Sequence, residues 1–256
     1  MIDNYNALSI GQMMEIEAIL RDEDADDLDK QVRIISVLSG ITENRLMAMP
    51  LPEFSALAAQ TAFLRKPLDS FPEKKDKYTA GDFTLVPVSD PSKILTAQYI
   101  DFQERVKESV TDIPAILAIF LVPEGKTYGE GYDVAEVQLA ISKDMPMADA
   151  FGLAGFFFQV ICKLNSGFPH LLQARRAEDE GQSERREDTE EPDGGGETFA
   201  ERWGWIANVE KVASAMGVPW DAVFGKPAVE FLNVLAYLQD KSEWEKEELE
   251  RWKRSH

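Results

Sequence analysis

The residues best placed to do chemistry lie in Pro123-Glu-Gly-Lys-Thr-Tyr-Gly-Glu-Gly-Tyr-Asp-Val-Ala-Glu-Val137. Gly125-Lys126-Thr127 has the ending of a phosphate-binding loop, which would make the chain a nucleotide-hydrolysing enzyme. The spacing opposes this. Such a loop needs a glycine five residues before its Gly-Lys pair, so that successive backbone N–H groups wrap the phosphates. That position is Phe120. The Glu124 carboxylate, inside the would-be nest, also repels an anionic ligand. The residues suit a tight connector instead. Gly125, Gly129 and Gly131 can each take a positive φ without steric cost. Tyr128 and Tyr132 can lay their rings on the domain while their hydroxyls stay wet.

Other candidates for chemistry are few. Cys162 is the single cysteine. It makes no intramolecular disulfide, which suits a reducing compartment. Its neighbours Phe156–Leu164 are apolar, so a buried, inert thiol is expected. His170 and His256 stand far apart and outside any ligand spacing, and no HxxxH, CxxC or GxSxG pattern occurs. No metal, cofactor or catalytic group is therefore expected. The chain reads as a binding protein rather than an enzyme.

The formal net charge is −19 and 44% of residues are hydrophobic. The apolar share suits a globular core. The charge repels nucleic-acid phosphates and anionic lipid heads, so neither is an expected partner. It serves solubility and suits a basic protein partner. The N-terminus lacks the basic-then-apolar build of a signal peptide. The longest apolar stretch, Ala150–Cys162, is interrupted by Gln159 and is too short to span a bilayer. A soluble protein that stays inside a cell is expected.

The elements that must carry these residues are mostly helical. Ser9 and Gln12 form a capping box ahead of Met13, Ile16 and Ile19. Val32 to Leu38 reads as a second helix stopped by Gly40. Thr42 caps a short third helix, and Pro52 opens a fourth. Tyr78–Val86 changes to strand period, with Ala80-Gly81 as a hairpin turn. Thr96 opens a further helix, and its leader Leu95-Thr-Ala-Gln faintly repeats Leu8-Ser-Ile-Gly-Gln once a gap is allowed. Ile113–Val122, with Pro114 near its start, reads as a buried helix. Helices continue to Leu164.

The composition breaks at residues 173–198, QARRAEDEGQSERREDTEEPDGGGET. So few apolar residues cannot offset ordering entropy, so a disordered acidic linker is expected. All five tryptophans follow it. The expected organisation is a helical domain with one small β-hairpin over 1–172, the linker over 173–198, and a small helical domain over 199–256. Trp205 and Trp220 flank apolar stripes and should be core. Trp244 and Trp252 sit among charges on the last helix, eight apart and near one face. With Trp203, Tyr128 and Tyr132 they are the expected partner-binding residues, since aromatic side chains anchor interfaces.

Four stretches carry a resemblance: LSIGQMMEIEAIL with RIISVLSGI, LTAQYIDFQERV, PEGKTYGEGYDVAEV, and WGWIANVEKVASAMG with VEFLNVLAYLQDK. In this order they resemble the tail assembly chaperones or baseplate hub assembly proteins of T4-like and related contractile-tailed bacteriophages. The chain departs from that pattern by lacking the glycine of LTxGQYIDF and by its long linker. The resemblance implies a non-enzymatic assembly factor in the host cell cytoplasm, holding tape-measure or hub proteins soluble. It also implies that the tryptophan-rich unit is an extension joined at the linker by translational frameshifting. A structural baseplate or tail component retained in the virion is the alternative reading.

Overall fold

In the computed structural model the chain is mainly helical, with one small antiparallel sheet. The structure describes residues 1–66, 70–169, 171 and 199–255. His170, His256 and the acidic linker expected over 173–198 lie outside these residues. Two compact units are present, Met1–Val88 with Glu104–Phe157, and Ser89–Gln103 with Phe158–His256.

In the first unit, Ser9 and Gln12 make the predicted capping box and start α1 (Ile10–Arg21). Asp26 caps α2 (Asp27–Ser39), and Gly40 ends it at φ 69°, the left-handed position that glycine takes without penalty. Ile16 and Ile19 of α1 pack on Ile34 and Leu38 of α2. Val32 and Ile35 turn the other way, onto Leu46 of α3 (Glu43–Met47), with Leu57 of α4 (Leu51–Gln60) alongside. Thr42 precedes α3 as expected, but its side chain makes no capping bond.

Strands β1 (Tyr78–Ala80) and β2 (Phe83–Pro87) form the predicted hairpin, with one shift. Ala80 pairs with Phe83, so the turn falls on Gly81-Asp82, with Gly81 at φ 54°. The run Ile113–Val122 is not one helix. Asp112 caps α6 (Ile113–Phe120), and the chain then extends into β3 (Leu121–Pro123). β3 pairs antiparallel with β2, Val122 opposite Val86. Continuing the helix would leave the edge of β2 without partners where the backbone is buried, which costs more than ending a helix. Tertiary pairing therefore overrides local preference here.

Helix α7 (Val134–Asp144) packs on α1, α6 and β1. In α8 (Met147–Ser166), Phe157 stacks on Phe120 at 4.7 Å. The segment at 71–75 lies along one face of α8. Lys75 pairs with the buried Asp149 at 2.7 Å, Lys74 sits over the Phe156 ring, and Phe71 rests on Gly152. At 20 residues, α8 is long and apolar enough to cross a membrane by length and composition, which the shorter apolar stretch Ala150–Cys162 was not. Half of the residues of α8 are buried, as in a core helix. Cys162 is exposed rather than buried. Helical spacing puts Phe157, Ile161 and Leu164 inside and leaves Gly155, Gln159 and Cys162 on the outer side.

The second unit contains the start of α5 (Thr96–Glu108), α9 (Phe199–Met216), α10 (Trp220–Phe224) and α11 (Ala228–Ser255). Gly204, at φ 41° and ψ −115°, breaks α9 after its first turns. Trp205, Val209 and Val212 of α9 are buried, as are Phe231, Leu232 and Leu235 of α11.

Both units use the same junction. In the first, Ile10 donates to the Met145 carbonyl at 3.0 Å, and Met147 donates to that of Leu8 at 2.8 Å. In the second, Thr96 donates to Lys226 at 2.8 Å, and Ala228 to Ile94 at 2.7 Å. Each time the leader of one helix pairs with the proline-bearing leader of another, around Pro146 or Pro227. Gln12 and Gln98 each accept from the backbone N–H three residues back, at 3.1 and 3.0 Å. The faint sequence repeat thus has a structural counterpart. It aligns without a gap once Leu8 is matched to Ile94. Gln98 is the buried copy, so Gln98→Ala should cost about 1–3 kcal/mol, the range for stranding a buried donor. A urea midpoint no lower than that of Gln12→Ala would contradict this.

Candidate functional site

The connector after Pro123 is built against phosphate. Gly125, Gly129 and Gly131 stand at φ 75°, 74° and 75°, as a glycine-rich turn requires. Lys126 folds back over Gly131, its Nζ 3.2 Å from where a side-chain carbon there would stand. It is not aimed into a cradle. The following helix, α7, begins only at Val134, and its N-terminus is already occupied. The Asp133 carboxylate accepts from the Ala135 N–H at 2.8 Å, where a phosphate would sit. Glu124 pairs with Lys77 beside the loop.

Tyr128 and Tyr132 lie in this connector, in the first unit, and both are half-buried. The Tyr132 hydroxyl is not wet, as expected from sequence, but enclosed without a hydrogen-bond partner among the described residues. Burial pushes its pKa up, and the nearby Gly129 N–H, outside good hydrogen-bond geometry, offsets this only in part. A Tyr132 ring fixed in this way supports the turn more than it offers surface.

The tryptophans belong to the second unit and separate into two sets. Trp205 is buried and meets Tyr99 edge-to-face at 5.7 Å. Trp203, Trp220, Trp244 and Trp252 are 46%, 55%, 59% and 60% exposed. Trp220 therefore departs from the core role expected of it. It stands at the first position of a short helix, with Phe224 of that helix 6.5 Å away. Trp203 sits on α9 just before the break at Gly204, which turns the chain between an exposed and a buried indole.

Helix α11 positions the other two. Its first turns bury Phe231, Leu232 and Leu235, and from Asp240 to Ser255 nearly every residue is exposed. At 3.6 residues per turn, Tyr237 and Trp244 lie about 20° apart around the helix, opposite the buried stripe. Trp252 stands about 80° from Trp244 on the same open side. Tyr237, which sequence reasoning passed over, is the most exposed aromatic of this face. Its spacing of seven residues from Trp244 was the available signal.

Ion pairs along this tail stay within the helix: Lys241 with Glu245, Glu248 with Arg251, and Glu250 with Arg254. Among the described residues no group of three or more His, Cys, Asp or Glu could hold a metal ion. What the arrangement can do is present large, rigid aromatic surface on a charged helix, which is the chemistry of protein association. No family model, curated protein or solved structure matches this chain.

Proposed function

We propose that the chain is a non-enzymatic assembly factor for the tail or baseplate of a contractile-tailed bacteriophage, acting in the host cytoplasm. It binds another tail protein, such as the tape measure or hub protein, and keeps it soluble. The observation that carries this reading is the set of exposed aromatic residues Trp203, Trp220, Tyr237, Trp244 and Trp252. A protein with no partner gains nothing from so much apolar surface outside its core. The ordered likeness of four stretches to the tail assembly family supplies the partner class. The acidic surface favours a basic partner and disfavours nucleic acid.

The test is capture from infected cells with the tagged full chain, followed by mass spectrometry. Wild type should bring down a tail protein, and Trp244→Ala/Trp252→Ala should bring down several-fold less while melting like wild type. Equal capture by the double variant would remove these tryptophans from the interface. Purified virions should lack the chain, and its stoichiometric presence there would favour a structural role instead.

A further inference from the structure

The second unit is built from two stretches that are far apart in the chain, and the earlier one is short. Ser89–Gln103 belongs to it, although the chain up to Val88 and from Glu104 belongs to the first unit. The helices of 199–255 close on this short stretch. Thr96 gives the Lys226 carbonyl both its N–H, at 2.8 Å, and its hydroxyl, at 3.0 Å, across 130 residues of sequence. Ala228 donates to the Ile94 carbonyl at 2.7 Å, and α11 also touches the turn Pro91–Lys93. Trp205 meets Tyr99 of the early stretch at 5.7 Å and Phe231 of α11 at 6.1 Å. Ile94, Thr96 and Tyr99 are at most 1% exposed.

Contacts of this kind hold ligands. Two extended leaders pair through main-chain bonds, as when a peptide is added to the edge of a strand. A buried indole beside two rings then supplies the anchor. Residues 173–198, which join the segment to the rest of the chain, contain no apolar side chain larger than alanine and one proline. They supply no large surface to bury, so their part in the contact is that of a tether. A tether raises the local concentration of the segment to about millimolar, which a second copy in micromolar solution cannot match. Once the tether is cut that advantage is gone, while every contact at the leader remains.

We infer that the start of α5 with its leader, Ile94–Tyr99, is a docking site for residues 199–255, and that it takes this segment from a second copy as well as from its own chain. The leader bonds and the rings supply the affinity, and the tether decides which copy is bound. Exchange of an identical element between copies keeps every native contact, so it costs only the change of connection. The docking site is independent of the assembly role and stands whatever Trp244 and Trp252 bind.

The test starts from the folded full chain with a specific protease site inserted between Gly194 and Gly195. After complete cleavage in native buffer, checked by mass spectrometry, the two pieces should still elute together at about 10 µM. Cut copies with a tagged N-terminal piece are then mixed with cut, untagged copies grown in heavy nitrogen. Heavy C-terminal segment should appear on the tagged pieces overnight, whereas uncut copies mixed in the same way should stay unmixed. Thr96→Pro removes both donors to Lys226 at a first helical position, where proline is tolerated. It should raise the dissociation constant of the cut segment at least about tenfold. Trp205→Ala should raise it at least about a hundredfold. Circular dichroism of the uncut variants shows that each keeps its helices. Wild-type pieces that part at this concentration, cut pieces that never exchange, or a Thr96→Pro complex as tight as wild type each overturns the docking site. Capture of a tail protein is read separately. Pieces that exchange in a chain that captures nothing defeat the assembly role alone.

Discussion

Replacing Trp205 by alanine should destabilise the second unit by about 3–5 kcal/mol, the range for deleting a buried Phe or Trp side chain. Trp205 is 8% exposed and lies 5.7 Å from Tyr99 and 6.1 Å from Phe231, ring centre to ring centre. Such aromatic contacts add about 0.5–1.5 kcal/mol beyond the area buried. Tyr99 is held in turn by its hydroxyl bond to Asn165 at 2.9 Å, so it cannot swing in to fill the space. The cavity should therefore persist. The matched control is Trp220→Ala. It removes an equally large side chain, but one standing mostly in solvent, so the change should stay within about 0.5 kcal/mol. By thermal unfolding followed in the far ultraviolet, Trp205→Ala should melt roughly 10 °C lower and Trp220→Ala within a degree or two of wild type. Equal melting temperatures for the two variants would mean that the burial of Trp205 is not what holds α9 and α11 together.

That contrast marks what was legible in the chain. Helix starts and stops were, because their signals are local. Ser9 with Gln12, Gly40 and Pro114 each act within a few residues, and each stands at the expected boundary. What depends on a distant partner was not. Leu121–Pro123 has the composition of the helix before it and becomes a strand only because β2 has an edge to complete. Cys162 lies in an apolar run, yet the burial of α8 follows its turn-by-turn spacing and not its mean composition. Asp149 is a buried charge that nothing in its neighbourhood announces, since its partner Lys75 lies 74 residues away. At the candidate site the same division holds. The charges around Trp244 and Trp252 foretold their exposure, whereas Trp220 sits beside an apolar stripe and is exposed all the same. A single residue at a helix start carries no periodicity, so its face cannot be read until the helix is docked.

The largest effect in the first unit should come from adding a side chain at Gly11. This glycine lies in the first turn of α1, where α1 crosses α7. A carbon placed there would stand 2.5 Å from both the carbonyl oxygen and the hydroxyl oxygen of Ser142. The hydroxyl can rotate away, but the carbonyl belongs to the backbone of α7 and moves only with that helix. Alanine gains about 1 kcal/mol over glycine from helix propensity. Overpacking a tight contact costs about 1–3 kcal/mol, and occasionally more. Gly11→Ala should thus be a net loss of about 1 kcal/mol, and Gly11→Val, larger and β-branched, a loss of roughly 3 kcal/mol. Ser142→Ala combined with Gly11→Ala should recover only part of the loss, because it removes one of the two oxygens. Gly155→Ala is the opposing control. Nothing lies within 4 Å of an added carbon there, so it should stabilise by about 0.4–1 kcal/mol. In the second unit the position matching Gly11 is Ala97, so a methyl group is compatible with the shared junction itself. The penalty at Gly11 therefore belongs to its contact with α7. Urea unfolding that ranks Gly11→Val and Gly155→Ala alike would show that α1 and α7 do not approach as closely as that contact requires.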